Sequence, residues 1–105
     1  MSKAITRGSG NVFEDLGFDH PEEYRAKAEL ALHIIKSIEE RALTQKQAAT
    51  LIGATQPDIS KLKSGQLKGF TLDRLFSFLL RMNRNIQIRV TKGTGKTGKL
   101  ETVAA

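Results

Sequence analysis

The sequence predicts an all-α domain of four to five helices, followed by one C-terminal β-strand. Apolar residues recur every three or four positions through most of the chain, as they do on the buried face of a helix. At three places a Thr or Asp stands three positions before a Glu, Gln or Asp, which is the pattern of a capped helix start. Only "NIQIRVT", at residues 85–91, alternates apolar and polar residues as a strand does. The 105 residues have the length of one domain.

The first helix is predicted to run from its N-cap, Asp19, to about Arg41. Glu22 completes a capping box with Asp19, and Pro21 falls in the first turn, where a missing N–H is harmless. We expect this long helix to be the scaffold of the domain. Its apolar face consists of Leu30, Ala31, Ile34, Ile35, Ile38 and Ala42.

Two short helices come next in the chain. Each begins with an N-cap threonine and a polar acceptor three residues later, and each ends at a glycine: Thr44, Gln47 and Gly53 in the first, and Thr55, Asp58 and Gly65 in the second. Pro57 is the second residue of the second helix, where no intrahelical bond is expected from an N–H. The proline therefore marks the start of a helix instead of breaking one.

A fourth helix is predicted from its N-cap, Thr71, to about Met82 or Asn83. Phe70 and Leu75 stand at the two positions of a hydrophobic staple.

The predicted strand at residues 85–91 places Ile86, Ile88 and Val90 on one face. A single strand leaves a row of unpaired N–H and C=O groups, so it needs either an N-terminal segment of its own chain or a second copy of itself. We favour the second copy, and these three residues are the predicted dimerisation surface.

The chain thus divides into a flexible arm at 1–11, a helical domain at 12–84, the strand at 85–91 and a flexible basic tail at 92–105. No apolar run approaches the roughly 18 residues that span a bilayer, and the N-terminus lacks the apolar stretch of a signal peptide. We expect a cytoplasmic protein that contacts no membrane.

Composition argues against several kinds of chemistry. With no Cys, the chain has no disulfide framework, thiolate nucleophile or cysteine-ligated zinc. The two histidines, His20 and His33, lie too far apart for a local metal pair. We expect no enzyme activity, no metal, no cofactor and no small-molecule substrate.

The tail sequence "GTGKTGK", at residues 93–99, invites comparison with a nucleotide-binding phosphate loop. With Gly93 and Gly98 as the two glycines, Leu100 occupies the place of the required Ser or Thr. With Gly95 as the second glycine, Val90 occupies the place of the first. Too few residues follow for the helix that would hold the phosphate, so we interpret the segment as a solvated basic tail.

The net charge of +6 is distributed unevenly along the chain. Residues 1–10 carry +2 and residues 11–43 carry −4, whereas residues 44–69 carry +3 and residues 70–105 carry +5. A basic second half indicates a polyanionic partner, because neutralising phosphates releases condensed counterions. The acidic first half is either the docking face of a different partner or an ordinary solvated face.

The two short helices, with a scaffold helix before them and a supporting helix after them, make a helix-turn-helix unit with its core at residues 43–66. In such a unit the second helix enters the major groove, its N-terminal residues reach base edges, and helix N-termini bind phosphates. This places Gln56 at the tip of the second helix, Ser60 and Lys61 further along its exposed face, and Gln45 at the start of the first.

The core sequence "LTQKQAATLIGATQPDISKLKSGQ" resembles the helix-turn-helix of the XRE family, the Cro and lambdoid-repressor type. The matching residues are Leu43, Thr44, Gln45, Ala49, Gly53, Thr55, Ile59, Leu62 and Gly65. The resemblance implies a lambda-repressor-like fold and sequence-specific binding of double-stranded DNA.

It further implies base contacts at the positions occupied by Gln56, Pro57, Asp58 and Lys61. We assign phosphate contacts to Gln45, Ser60, Lys63, Lys68 and Gly69. Pro57 has no side-chain donor. Asp58 has two readings, as an acceptor for cytosine or as part of the Thr55 cap, and its spacing favours the cap.

The flanking sequences "NVFEDLGFDHPEEYRAKAEL" and "GFTLDRLFSFLLRMNRNIQIRV" are similar to short HigA-type antitoxins. This second resemblance implies a repressor of its own operon that also neutralises a basic ribonuclease toxin of the HigB/RelE type. Two chains paired through their strands would read a palindromic operator as a homodimer, with recognition helices about 34 Å apart. The alternative is a stand-alone or phage-like regulator without a toxin; a protein-neutralising module with a vestigial helix-turn-helix is a third reading.

Overall fold

The computed structural model describes residues 21–103, which fold into four α-helices joined by short turns. We number them α1, Pro21–Glu40; α2, Gln45–Ile52; α3, Gln56–Ser64; and α4, Leu72–Arg81. The predicted all-α core is confirmed over these residues. The predicted arm at 1–11 and the predicted cap at Asp19 lie outside the described part of the chain.

The helix starts follow the local signals in the sequence. Thr44 and Thr55 each form the predicted capping box, and the Thr71 side chain accepts a hydrogen bond from the Arg74 amide at the start of α4. Pro57 lies within the first two positions of α3, as predicted.

The four helix ends share one hydrogen-bond pattern. A residue just beyond the helix takes the left-handed conformation, and the N–H of the residue after it donates to the carbonyl five positions earlier in the chain. These left-handed residues are Ala42, Gly53, Gly65 and Asn83, with φ of 53°, 75°, 78° and 62°. The prediction that Ala42 extends the buried face of α1 is therefore wrong. α1 ends at Glu40, and Ala42 is exposed in the turn that leads to α2.

A single core lies between the helices. α1 packs against α3 and α4, and α2 packs against the same two helices. The predicted spacing of Leu30, Ile34 and Ile38 on α1 is confirmed, since all three are buried. The other helices and turns contribute Ala48, Ala49, Ile52, Ile59, Leu62, Leu67, Phe70, Leu75, Phe78, Leu79 and Met82 to the same cluster.

The C-terminal segment, residues 84–103, carries no strand in the structure. A strand requires hydrogen bonds to a neighbouring strand, and residues 21–103 of one chain offer no such neighbour. Ile86 packs against the core, whereas Ile88 is 75% exposed and Val90 90% exposed. The pairing of this segment with a second chain stays a prediction.

Two anchors hold this segment to opposite halves of α1. At one end, Arg84 Nε donates to the hydroxyl of buried Ser37 at 2.8 Å, and its guanidinium pairs with Glu40. At the other end, the Leu100 amide donates to Glu22 Oε2 at 3.2 Å, and the Thr102 hydroxyl donates to Glu29. Thus two residues of the predicted flexible tail, Leu100 and Thr102, contact the acidic scaffold helix.

Across residues 21–103, we find no helix with the length and apolar character needed to cross a membrane.

Candidate DNA-binding surface

The turn between α2 and α3 depends on Gly53. Its φ of 75° lies in the left-handed region, and its N–H donates to the Ala49 carbonyl to close α2. A Cβ at this position would lie 3.2 Å from Arg81 Nη1 of α4. The left-handed conformation of Gly53 lets the chain change direction within the three residues between α2 and α3, so that α3 packs across α2.

The first turn of α3 is closed by a reciprocal pair of hydrogen bonds. The Asp58 amide donates to Thr55 Oγ1 at 3.1 Å, and the Thr55 amide donates to Asp58 Oδ2 at 3.1 Å. Pro57 has no N–H, and the Thr55 and Asp58 amides donate within the cap. The Gln56 amide is therefore the one in this turn that can donate to a DNA phosphate. Gln56 and Pro57, both uncharged, thereby lie at the positive end of the α3 dipole.

The outward face of α3 is polar and basic. Ile59 and Leu62 are buried and fix the rotation of the helix about its axis. Opposite them, Gln56 and Ser60 lie one turn apart, and so do Pro57 and Lys61. These four residues and Lys63 are all exposed. The structure thus brings four predicted contact residues together on the outward face of α3, whereas Lys63, two positions beyond Lys61, points to a different side of the helix.

Asp58 is placed differently from its neighbours. Its side chain is 15% exposed, and Oδ2 accepts a second bond, from Arg74 Nη2 at 2.9 Å. The hydrogen bond from the Thr55 amide holds the pKa of Asp58 below its ordinary value; partial burial opposes this shift, and the Thr55 hydroxyl and the Arg74 charge reinforce it. This geometry supports the capping role of Asp58, because both partners hold its carboxylate within the fold.

The flanks of α3 add positive charge. Lys68 and Gly69 are exposed in the turn before α4. Gln45 is half-buried at the first position of α2, beside exposed Lys46. Residues 44–69 contain four lysines and one aspartate, so the field around α3 favours a polyanion.

Sequence reasoning missed three residues that hold this surface in place. Arg74 pairs with Asp58, the Tyr24 hydroxyl donates to the Gly65 carbonyl at 3.1 Å, and Arg81 lies against Gly53. Tyr24 and Gly65 are 41 positions apart and Asp58 and Arg74 are 16 apart, so no local pattern marks either pair.

Comparison with known proteins places this architecture in a family. Residues 12–91 match a family model described as "Helix-turn-helix domain". A solved structure named "Putative XRE Family Transcriptional Regulator" superposes with a TM-score of 0.73 at 30% sequence identity, covering 81% of this chain and 98% of that chain. The chain belongs to the XRE-type helix-turn-helix family. A comparison with curated proteins found no match. In this XRE-type chain, α2 and α3 are the helix-turn-helix pair.

Proposed function

We propose that this XRE-type protein is a sequence-specific DNA-binding transcriptional repressor. One observation carries the proposal: the capped first turn of α3 projects Gln56 and Lys61 from a rigid helix whose opposite face is pinned in the core. A helix presented in this way fits the major groove of B-DNA.

Base reading falls to the two long side chains on this face. Gln56 can make a bidentate contact with adenine, and Lys61 can donate to guanine, each worth about 1–3 kcal/mol of discrimination against a wrong base. Pro57 adds only van der Waals contact, and the Asp58 carboxylate is hydrogen-bonded to Thr55 and Arg74. Specificity therefore rests mainly on Gln56 and Lys61.

Phosphate contacts supply the rest of the affinity. Lys63 and Lys68 are exposed on the end of α3 and on the turn that follows it, where Gly69 is the next residue. Ser60 lies on the outward face of α3, and Gln45 is at the first position of α2. Such contacts orient the protein on the duplex without reading its sequence.

Selection from a random duplex library tests this proposal directly. The purified protein should enrich one sequence family, hereafter the selected duplex. Gln56→Ala should lose the preference for the selected duplex over random DNA while keeping most of its affinity for random DNA. Lys68→Ala should weaken both and reduce the slope of log affinity against log salt by about one. Equal effects of the two variants on both DNAs would contradict these roles.

We further propose that the repressor is a homodimer that pairs through Ile86, Ile88 and Val90. The exposure of Ile88 and Val90 in a single chain supports this, because such residues gain about 25 cal/mol for each Å² that a partner removes from water. A two-fold dimer would match a palindromic operator.

The finer proposal is that the protein is an antitoxin that binds a basic ribonuclease toxin and represses its own operon. Its support is the HigA-like flanking sequence and the acidic α1. Co-expression with the products of the adjacent reading frames tests it: a small basic protein should co-purify, and its RNA cleavage should cease in the complex. If no neighbouring product binds, the protein is a stand-alone regulator.

A further inference from the structure

Arg74 is the third residue of α4, and its position is fixed from several sides. Its amide donates to the Thr71 hydroxyl at 3.1 Å, which anchors its backbone. Its guanidinium carbon lies 5.1 Å from the ring centroid of Phe70 and 5.3 Å from that of Phe78. The two rings are buried and meet edge to face at 6.2 Å. The guanidinium is thus held against a rigid aromatic surface by cation–π attraction.

From this position Arg74 reaches the first turn of α3. Its Nη2 lies 2.9 Å from Asp58 Oδ2, the same oxygen that accepts the Thr55 amide. Asp58 is two residues beyond Gln56, the predicted base reader at the tip of α3. One ion pair therefore connects the aromatic core under α4 to the turn that presents Gln56.

The rest of α3 is held differently. Ile59 and Leu62 pack it against α1 and α2. These two side chains fix the rotation of the helix about its axis. The Asp58–Arg74 pair adds a polar contact at the first turn, where a displacement of about 1 Å would spoil a bidentate contact.

We propose that Arg74 is a positioning residue for base recognition: by pairing with Asp58 it holds the first turn of α3, and with it Gln56, in the orientation that reads base edges. The inference rests on the proposed function. Arg74 itself does not read a base. Its side chain is 42% exposed, so a direct phosphate contact is the competing role that an experiment must separate.

Two substitutions separate positioning from phosphate contact because they change the local charge in opposite directions. Arg74→Gln removes a positive charge, whereas Asp58→Asn removes a negative charge and keeps an oxygen acceptor for the Thr55 amide. If the pair positions Gln56, both variants should lower the ratio of affinities for selected and random duplexes, by roughly tenfold, within the range expected for one lost bidentate contact. The double variant should lose no more than either single variant, since both break the same pair.

The competing role gives a different result. If Arg74 only contacts phosphate, Arg74→Gln weakens binding to both duplexes alike, Asp58→Asn strengthens both alike, and the ratio stays within twofold of the wild-type value. That outcome overturns the inference. Arg25→Gln, which removes the same charge from an exposed site on α1, is the charge control and should leave the ratio unchanged.

A general loss of stability is controlled in the same assay. Ile38→Val in the core should lower the melting temperature without changing the ratio, and all affinities are measured well below each variant's melting temperature. If the library selection enriches no sequence, the proposed function itself fails and the inference falls with it. If it enriches a sequence that the Arg74 and Asp58 variants still discriminate fully, only the positioning role fails.

Discussion

The Asp58 carboxylate joins two parts of the molecule at a single oxygen. Oδ2 accepts from the Thr55 amide within α3 and from Arg74 Nη2 on α4. Both bonds favour the ionised form, so the pKa of Asp58 in the folded protein is lower than the ordinary value of 3.8. The unfolded state therefore binds this proton first as the pH falls.

The lowered pKa of Asp58 makes the free energy of unfolding depend on pH. The contribution of Asp58 to stability should be fully present above about pH 5 and should be lost as the pH falls below 4 toward the folded-state pKa. Urea unfolding at pH 5 and pH 3 should show a larger drop in the free energy of unfolding for the wild type than for Asp58→Asn. Identical drops would show that the carboxylate is not held as described.

Gly53 illustrates a backbone requirement at the residue scale. Gly53→Ala should lower the free energy of unfolding by about 1–2 kcal/mol, because a Cβ disfavours its left-handed conformation and crowds Arg81. Gly69→Ala is the matched control: nothing lies within 4 Å of its ideal Cβ and its φ is not in the left-handed region, so its effect should stay within about 0.5 kcal/mol. Urea denaturation measures both, and equal effects would argue against the strained turn.

At the scale of elements, Arg84 connects the C-terminal segment to α1. Its Nε donates to Ser37, which is 2% exposed and donates in turn to the His33 carbonyl at 2.8 Å. Arg84→Ala should lower the free energy of unfolding by about 1 kcal/mol through the lost bond to a half-satisfied buried hydroxyl. The partly exposed pair with Glu40 should add little.

Arg89→Ala provides the comparison for this variant, because Arg89 is exposed in the same segment. Its effect on urea unfolding should stay within about 0.5 kcal/mol. If Arg84→Ala is as mild as Arg89→Ala, the segment is not anchored through Ser37.

Helix starts were predictable from the sequence, and the predicted ends of α1 and α4 fall within one or two residues of those in the structure. The caps at Thr44 and Thr55 are local, since each partner stands three residues away, and the structure confirms both. Gly53 and Gly65 were also visible as stops, because glycine favours the left-handed conformation. Asn83 takes the same conformation, which asparagine adopts more readily than most residues, whereas Ala42 takes it without any such preference.

At the scale of the whole molecule, the exposed Ile88 and Val90 bear on assembly. Ile88→Lys should shift the protein toward monomer in sedimentation equilibrium and weaken binding to the selected duplex, because a charge at the predicted strand interface must be desolvated. Gln87→Lys adds the same charge to the opposite face of the predicted strand and should leave assembly intact. A wild-type protein that is monomeric at micromolar concentration would refute the dimer.

The C-terminal segment shows where sequence reasoning reached its limit. The alternation of Ile86, Ile88 and Val90 predicts a strand, but a single chain supplies no partner for it among residues 21–103, and only Ile86 packs on the core. Likewise, the composition of the tail predicts flexibility, and no sequence pattern predicts the contacts that Leu100 and Thr102 make with α1. Both the pairing of the predicted strand and the contacts of the tail depend on which parts of the molecule lie next to them in the folded structure.

The sequence by itself indicated the four helices of residues 21–103, the capped starts of α2, α3 and α4 and the helix-turn-helix pair, because those features arise from apolar periodicity and from bonds between residues three or four apart. It also indicated the face of α3, through the spacing of Ile59 and Leu62. Only the tertiary structure decided that Asp58 turns away from that face to meet Arg74. That pairing joins residues 16 positions apart, and its geometry exists only once α3 and α4 have packed on the common core.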